Sequence, residues 1–145
     1  MRAVIQRVRS GSVSIEDRKV AQIGHGLVIL LGIGPEDDEK KASAMARKIA
    51  MMRIFGDEDG KINLSLLDVG GSAMVVSQFT LYADTHKGHR PSFVKAAAPE
   101  LAEPLVTYFA SQMVAMGVPT QTGEFGAYML VDIENDGPVT ILLET

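Results

Sequence analysis

The segment Ser77-Gln78-Phe79-Thr80-Leu81-Tyr82 sets two hydroxyls and a carboxamide at the end of the apolar run Met74-Val75-Val76. That run is β-branched enough to form a buried strand. Side chains alternate across a strand, so Ser77 and Thr80 point to opposite faces unless the backbone bends or bulges between them. Such a bend aims main-chain N–H groups outward beside the hydroxyls. Donors free of ladder partners are what acyl transfer uses to hold a developing oxyanion. The plainer reading is an amphipathic strand whose Ser and Thr are satisfied by backbone.

Other catalytic patterns are missing from the chain. It holds no Gly-x-Ser-x-Gly elbow, Walker loop, dinucleotide fingerprint or His-Glu-x-x-His motif. A triad drawn from Ser77, His86 or His89, and Asp84 matches none of the familiar chain orders. An enzyme built from these parts acts on a bond already activated, where orientation and oxyanion stabilisation suffice. Next to the hydroxyl-bearing segment, Lys87, Arg90 and Lys95 make a positive loop that suits phosphates; an ordinary solvated loop has the same composition.

With 145 residues, 46% hydrophobic and 22% charged, the chain is expected to form a single domain over residues 1–145. Its net charge of -4 gives no global attraction to nucleic acid, so an RNA contact needs a local basic patch. The absence of cysteine excludes disulfides, thiolate nucleophiles and Cys-type zinc sites. Asp57-Glu58-Asp59-Gly60-Lys61 lacks a calcium loop ending in a ligating Glu, and no metal or cofactor is expected. The apolar stretch Gly26 to Gly34 is too short to span a bilayer, and Glu16 and Asp17 before it are unlike a signal peptide. A soluble, cytoplasmic protein is expected.

The elements that must position these groups read as follows. Met1 to Val8 is a strand, on which Arg7 shares parity with Ala3 and Ile5; the default for that side chain is exposure at the strand's end, the other option a buried guanidinium holding carbonyls. Ser12 to Glu16 and Lys19 to Ile23 predict a hairpin turning at Asp17-Arg18, followed by the apolar strand Leu27 to Ile33. Gly34-Pro35 and the acids Glu36 to Glu39 open a helix running to about Met52, with Ala42, Met45, Ala46, Ile49 and Met52 on its core face. Pro99 to Met116 is a second helix, bent near Pro104. Thr120 to Gly123 and Ala127 to Glu134 are strands, and a turn at Asn135-Asp136-Gly137-Pro138 leads into the last strand, Val139 to Glu144, as a terminal hairpin. The order predicts an α+β fold with α/β/β layers, mixed sheets and two main helices on one sheet face.

Two motifs sharpen the functional reading. Ser77-Gln78-Phe79-Thr80-Leu81 and Asn135-Asp136-Gly137-Pro138-Val139-Thr140 resemble the two signature motifs of the D-aminoacyl-tRNA deacylases. The resemblance extends through Ile5-Gln6-Arg7-Val8, Arg53-Ile54-Phe55, Asn63-Leu64, Arg90-Pro91-Ser92-Phe93 and Thr120-Gln121-Thr122-Gly123. One departure is that Asp17-Arg18 stands where the family usually has glycine in the first hairpin turn. The resemblance implies a homodimeric esterase that frees tRNA from D-amino acids, and from glycine mischarged on tRNA-Ala, without metal or cofactor. It implies that Ser77, Gln78, Phe79 and Thr80 form the catalytic pocket floor. Gly137-Pro138, with a cis peptide bond, would enter the pocket of the other subunit as a chiral gate held by Arg7. Phe125 and Met129 would line the terminal adenosine site. Main-chain N–H groups and the tRNA's own 2′-hydroxyl would do the chemistry. Two other readings fit the residues alone: a nucleic-acid-binding module using the Lys87 to Lys95 loop, and a hydrolase with a Thr or Ser nucleophile acting on another small ester or amide.

Overall fold

The computed structural model describes all residues from Met1 to Thr145. Strand β1 (Arg2–Ile15) turns into β2 (Arg18–Ile23), and β3 (Gly26–Gly32) follows. Helix α1 (Glu39–Ala50) leads to a small ribbon, β4 (Phe55–Gly56) and β5 (Ile62–Leu64). Then come β6 (Ser72–Ser77), a short 3-10 turn (Phe79–Tyr82), α2 (Pro99–Ala115), β7 (Thr120–Thr122) and β8 (Leu130–Glu144). The α+β reading with two helices holds.

Strand β1 organises the sheet because it is long enough to serve three partners. Its first half pairs antiparallel with β3 and its second half with β2, while β8 runs antiparallel along nearly its whole length. Strands β6 and β7 extend the sheet from β3 in parallel. The Gln22 N–H reaches the Gln121 side-chain carbonyl at 2.9 Å, so the sheet curls until β2 meets β7. The curl separates two cores. On one face α1 and α2 cover Ala3, Ile5, Leu27, Ile29, Leu31 and Val75. Within the curl, Val8, Val13, Ala21, Val28, Met74 and Val76 pack together. Strand β6 thus buries side chains on both faces, which is why its sequence is continuously apolar.

Several boundaries differ from expectation for local reasons. Helix α1 starts at Glu39, not at Pro35: Asp38 is the N-cap, accepting the Lys41 N–H at 2.8 Å. Asp37 turns inward instead, taking the Met1 ammonium at 2.7 Å and the Gly34 N–H at 2.7 Å. The first turn is centred on Glu16 and Asp17, at φ of 48° and 61°, one residue before the expected position. Both residues take the left-handed conformation that glycine adopts without steric penalty. The terminal hairpin does not form. Residues 130–144 make one strand on β1, and the four residues Asp136 to Val139 loop out of the ladder between the pairs Val8↔Asn135 and Gln6↔Thr140. A turn-forming sequence inside a long edge strand is absorbed as a bulge because β1 holds the strand on both sides of it.

Candidate functional site

Strand β6 ends as the first motif begins. Leu31 is the register partner of Ser77, and the Leu31 carbonyl takes the Gln78 N–H at 2.8 Å. The backbone then leaves the ladder and coils into the 3-10 turn, the bend expected between Ser77 and Thr80. The turn is closed by the Leu81 N–H on the Gln78 carbonyl and the Ala83 N–H on the Thr80 carbonyl. The Phe79 and Thr80 N–H groups are not among these donors. Thr80 is exposed, and its hydroxyl accepts the Gln78 side-chain amide. That neighbour is a neutral donor, which does not activate a hydroxyl as a nucleophile.

Beside this turn lies a cavity of about 390 Å³. Ser77, Gln78 and Phe79 form one wall, Phe93 and Phe125 another, and Pro99, Ala102 and Val106 of α2 a third. Phe79 and Phe93 meet edge to face with ring centroids 5.1 Å apart. A smaller cavity adjoins it, sharing Ser77, Val106 and Phe125 and adding Thr107, Thr122 and Glu124. An apolar cleft with few polar groups at one end suits a small organic substrate whose reacting bond faces the polar end. Thr80 and Met129 stand outside the walls of both cavities. The Met129 sulfur packs where a side chain on Gly123 would stand, on the core enclosed by the curl.

Arg7 corrects the sequence expectation of exposure. Its side chain is only 13% exposed, because the bulge of β8 closes over it. Nη1–H donates to the Ile54 carbonyl at 2.6 Å and Nε–H to the Asp136 carbonyl at 3.2 Å, with the Asp136 carboxylate 3.3 Å away. Asn135, which sequence reasoning left without a role, donates its amide to the carbonyls of Arg7 at 2.9 Å and Val139 at 3.0 Å, clamping both ends of the bulge. At the tip, the Gly137–Pro138 bond is cis and Gly137 has φ of 122°. A Cβ on Gly137 would stand 2.9 Å from the Arg7 guanidinium, so the position needs glycine on both counts. The two motifs therefore do not share a cavity within one chain: Gly137, Pro138 and Arg7 line neither of the cavities at Ser77.

The positive loop is fastened by Asp84, another residue without an expected role. Its main chain exchanges two hydrogen bonds with Ser92. Its carboxylate accepts Lys95 Nζ–H at 2.8 Å, the His86 N–H at 3.1 Å and pairs with His86 Nδ1 at 2.8 Å. The bond from Lys95, then those from His86, hold this carboxyl well below the usual carboxylate range. Lys95 is thus neutralised locally, while Lys87 and Arg90 are exposed and enter no ion pair. The knot also sets Phe93, one residue beyond Ser92, against the cavity.

The site is thus a hydroxyl- and amide-bearing turn on an aromatic cleft, in a curled sheet backed by two helices. A family model described as D-Tyr-tRNA(Tyr) deacylase matches residues 4–144, and the chain belongs to that family of hydrolases acting on aminoacyl-tRNA. A D-aminoacyl-tRNA deacylase of Roseiflexus sp. (strain RS-1) is 59% identical over 145 residues, which is 100% of this chain and 94% of that protein. One of Lacticaseibacillus casei (strain BL23) is 53% identical, across 100% of this chain and 98% of its own length. A solved structure described as c-Myc DNA Unwinding Element Binding Protein superposes with a TM-score of 0.94 at 43% identity, covering 100% of this chain and 99% of that one. A probable eukaryotic D-amino acid tRNA deacylase shares the fold, with a TM-score of 0.85 at 18% identity, covering 98% of this chain and 97% of its own.

Proposed function

We propose that this protein hydrolyses the ester between a D-amino acid and the 3′-terminal adenosine of tRNA, in the cytoplasm, and clears glycine mischarged on tRNA-Ala in the same way. One observation carries the reading. The turn after β6 leaves the Phe79 and Thr80 N–H groups out of its own bonds, with Phe79 on the wall of an aromatic cleft and the Thr80 hydroxyl paired with a neutral amide. An aminoacyl ester is electrophilic enough for such a site. Orientation by Ser77 and Gln78, with about 3 to 4 kcal/mol from each well-placed oxyanion donor, meets its demand, and the 2′-hydroxyl of the substrate can move the proton. Phe125 stacks on the terminal adenine; Met129 supports that wall from behind Gly123. Lys87 and Arg90 take phosphates of the 3′ strand, with Lys95 held in reserve by Asp84.

Stereochemical selection belongs to the bulge. In a homodimer, the Gly137-Pro138 tip of one subunit enters the cleft of the other, where rigid main chain occupies the space of an L-side chain. A D-side chain points away, and glycine presents nothing to exclude. Steric rejection of this kind discriminates better than a small difference in apolar contact. What supports the arrangement is that Arg7 and Asn135 clamp the tip from below, while it lines neither of the cavities at Ser77 in its own chain. The test measures amino acid released from D-Tyr-tRNA, L-Tyr-tRNA and Gly-tRNA. Release from the first and third alone is expected; release from all at similar rates points to an unspecific esterase. Release from none, together with retention of duplex DNA, favours the DNA binding for which the relative at 43% identity is named.

A further inference from the structure

Beyond its first residue, Glu39, the solvent face of α1 is cationic and carries no acid. Lys40, Ala44, Arg47, Lys48 and Met51 recur at helical spacing, opposite the buried Ala42, Met45, Ala46 and Ile49. All of these outward residues are exposed, and Ala44, Arg47, Lys48 and Met51 line a shallow depression. From Lys40 to Gly56 the chain has Lys40, Lys41, Arg47, Lys48 and Arg53 and no Asp or Glu, within a protein of net charge -4. Two of these cations are committed locally. Lys41 Nζ–H donates to the Glu36 carbonyl at 2.7 Å, and Arg53 Nε–H to the Asn63 carbonyl at 2.6 Å. Lys40, Arg47 and Lys48 enter no ion pair.

An ordinary solvated helix interleaves acids with its bases, because opposite charges three or four residues apart stabilise it and like charges do not. The helix dipole favours Arg47 and Lys48 in the last turn but disfavours Lys40 in the first. Helix α2, packed on α1 through Ser43 and Tyr108 at 3.1 Å, has the reverse surface, with Glu100 and Glu103 and no Lys or Arg. Apart from Glu39 at the start of α1, charge is therefore segregated between the helices. The basic end of α1 also leads directly into Ile54, whose carbonyl holds Arg7 and so lies beside the Gly137-Pro138 bulge.

We propose that the Lys40, Arg47 and Lys48 stripe of α1 binds the phosphate backbone of the tRNA body. This rests on the deacylase reading and extends it from the 3′ end to the stem. Unpaired cations in a regular row neutralise successive phosphates and release counterions, a sequence-independent attraction suited to an enzyme that sorts amino acids and not anticodons. Because the stripe ends beside the bulge, it serves the tRNA whose 3′ end that bulge gates.

The test compares the wild-type protein with Arg47→Ala/Lys48→Ala, which keeps good helix formers at both positions, and with the charge-preserving Arg47→Lys/Lys48→Arg. Affinity for uncharged tRNA is read across salt concentrations, and kcat/KM is read for D-Tyr-tRNA and for the minimal ester D-tyrosyl-adenosine. The double alanine variant is expected to bind tRNA roughly tenfold more weakly, with a log–log salt slope shallower by about 2. Its kcat/KM should fall through KM on D-Tyr-tRNA and stay unchanged on the minimal ester, and the charge-preserving variant should behave as wild type. Equal losses on both esters, unchanged tRNA affinity, or binding of an acidic peptide or anionic vesicle in place of tRNA overturns the proposal. A wild-type protein that binds tRNA through the stripe but hydrolyses neither ester overturns the deacylase reading alone.

Discussion

Arg7 belongs to an apolar strand yet donates to two main-chain carbonyls 47 and 129 positions away. Arg7→Ala leaves the Ile54 and Asp136 carbonyls and the Asp136 carboxylate short of a donor; we expect a loss of roughly 2 to 4 kcal/mol in urea unfolding. Arg7→Lys should recover only part of it, since a point charge cannot reproduce the planar fork. Under the proposed gate, Arg7→Ala should also begin to release tyrosine from L-Tyr-tRNA; a stable variant that still rejects it would separate Arg7 from selection. Asp37 and Tyr82 make a second testable pair. Burial opposes the Asp37 charge, but the Met1 ammonium and the Gly34 N–H outweigh it and lower its pKa. Its contribution is present above the unfolded value and lost as pH falls through the lower folded one. Burial first, then the Asp37 charge, pushes the Tyr82 phenol up to about 12. Its contribution is complete below its ordinary value near 10 and disappears as pH rises towards 12. Urea midpoints measured across pH should show Tyr82→Phe flattening the alkaline limb and Asp37→Asn the acid limb.

At the scale of elements, the site depends on how closely β6 approaches β3. Gly26 faces Ser72 at the start of that parallel pair, and a Cβ there would fall 1.8 Å from the Ser72 carbonyl oxygen. Backbone cannot give way as a side chain can. Gly26→Ala should therefore cost about 3 kcal/mol or more in thermal or urea unfolding and shift the turn at Ser77 that this pairing positions. A near-neutral result would mean that the two strands are less tightly registered than their ladder implies. The bulge shows the complementary case, where one element tolerates local disorder of its ladder because pairing resumes on both sides.

For the whole molecule, the unpaired outer edge of β8 and the exposed Leu130 and Leu142 on that strand are features that a second chain can cover. If each cleft borrows its gate, specific activity on D-Tyr-tRNA should fall on dilution in step with the loss of dimer in sedimentation. A monomer that still distinguishes D from L would refute the cross-subunit gate. No helix is long and apolar enough to cross a membrane. Under the proposed tRNA surface, the acid surplus of the whole chain is offset by local clusters of bases, on α1 and in the Lys87 to Arg90 loop.

What the sequence alone determined was the main elements and the family. Apolar periodicity marked β3, β6 and both helices, since burial on one or two faces leaves a pattern that local composition cannot disguise. The Ser77 and Gly137 motifs carried the functional reading because each needs particular residue types in a row. Tertiary structure decided the rest. The turn-like sequence Asn135 to Pro138 became a bulge because β1 is long enough to hold β8 across it. Arg7 lost its exposure to the same bulge, an event 129 residues away that strand parity cannot register. Asp37 and Asp38, read alike as acids opening a helix, took different roles, because one found a buried ammonium and the other the first free N–H groups of α1. Asp38 acts within its own turn, but for the bulge, Arg7 and Asp37 the decisive partner lies beyond the window in which local sequence acts, and only the folded chain brings it within reach.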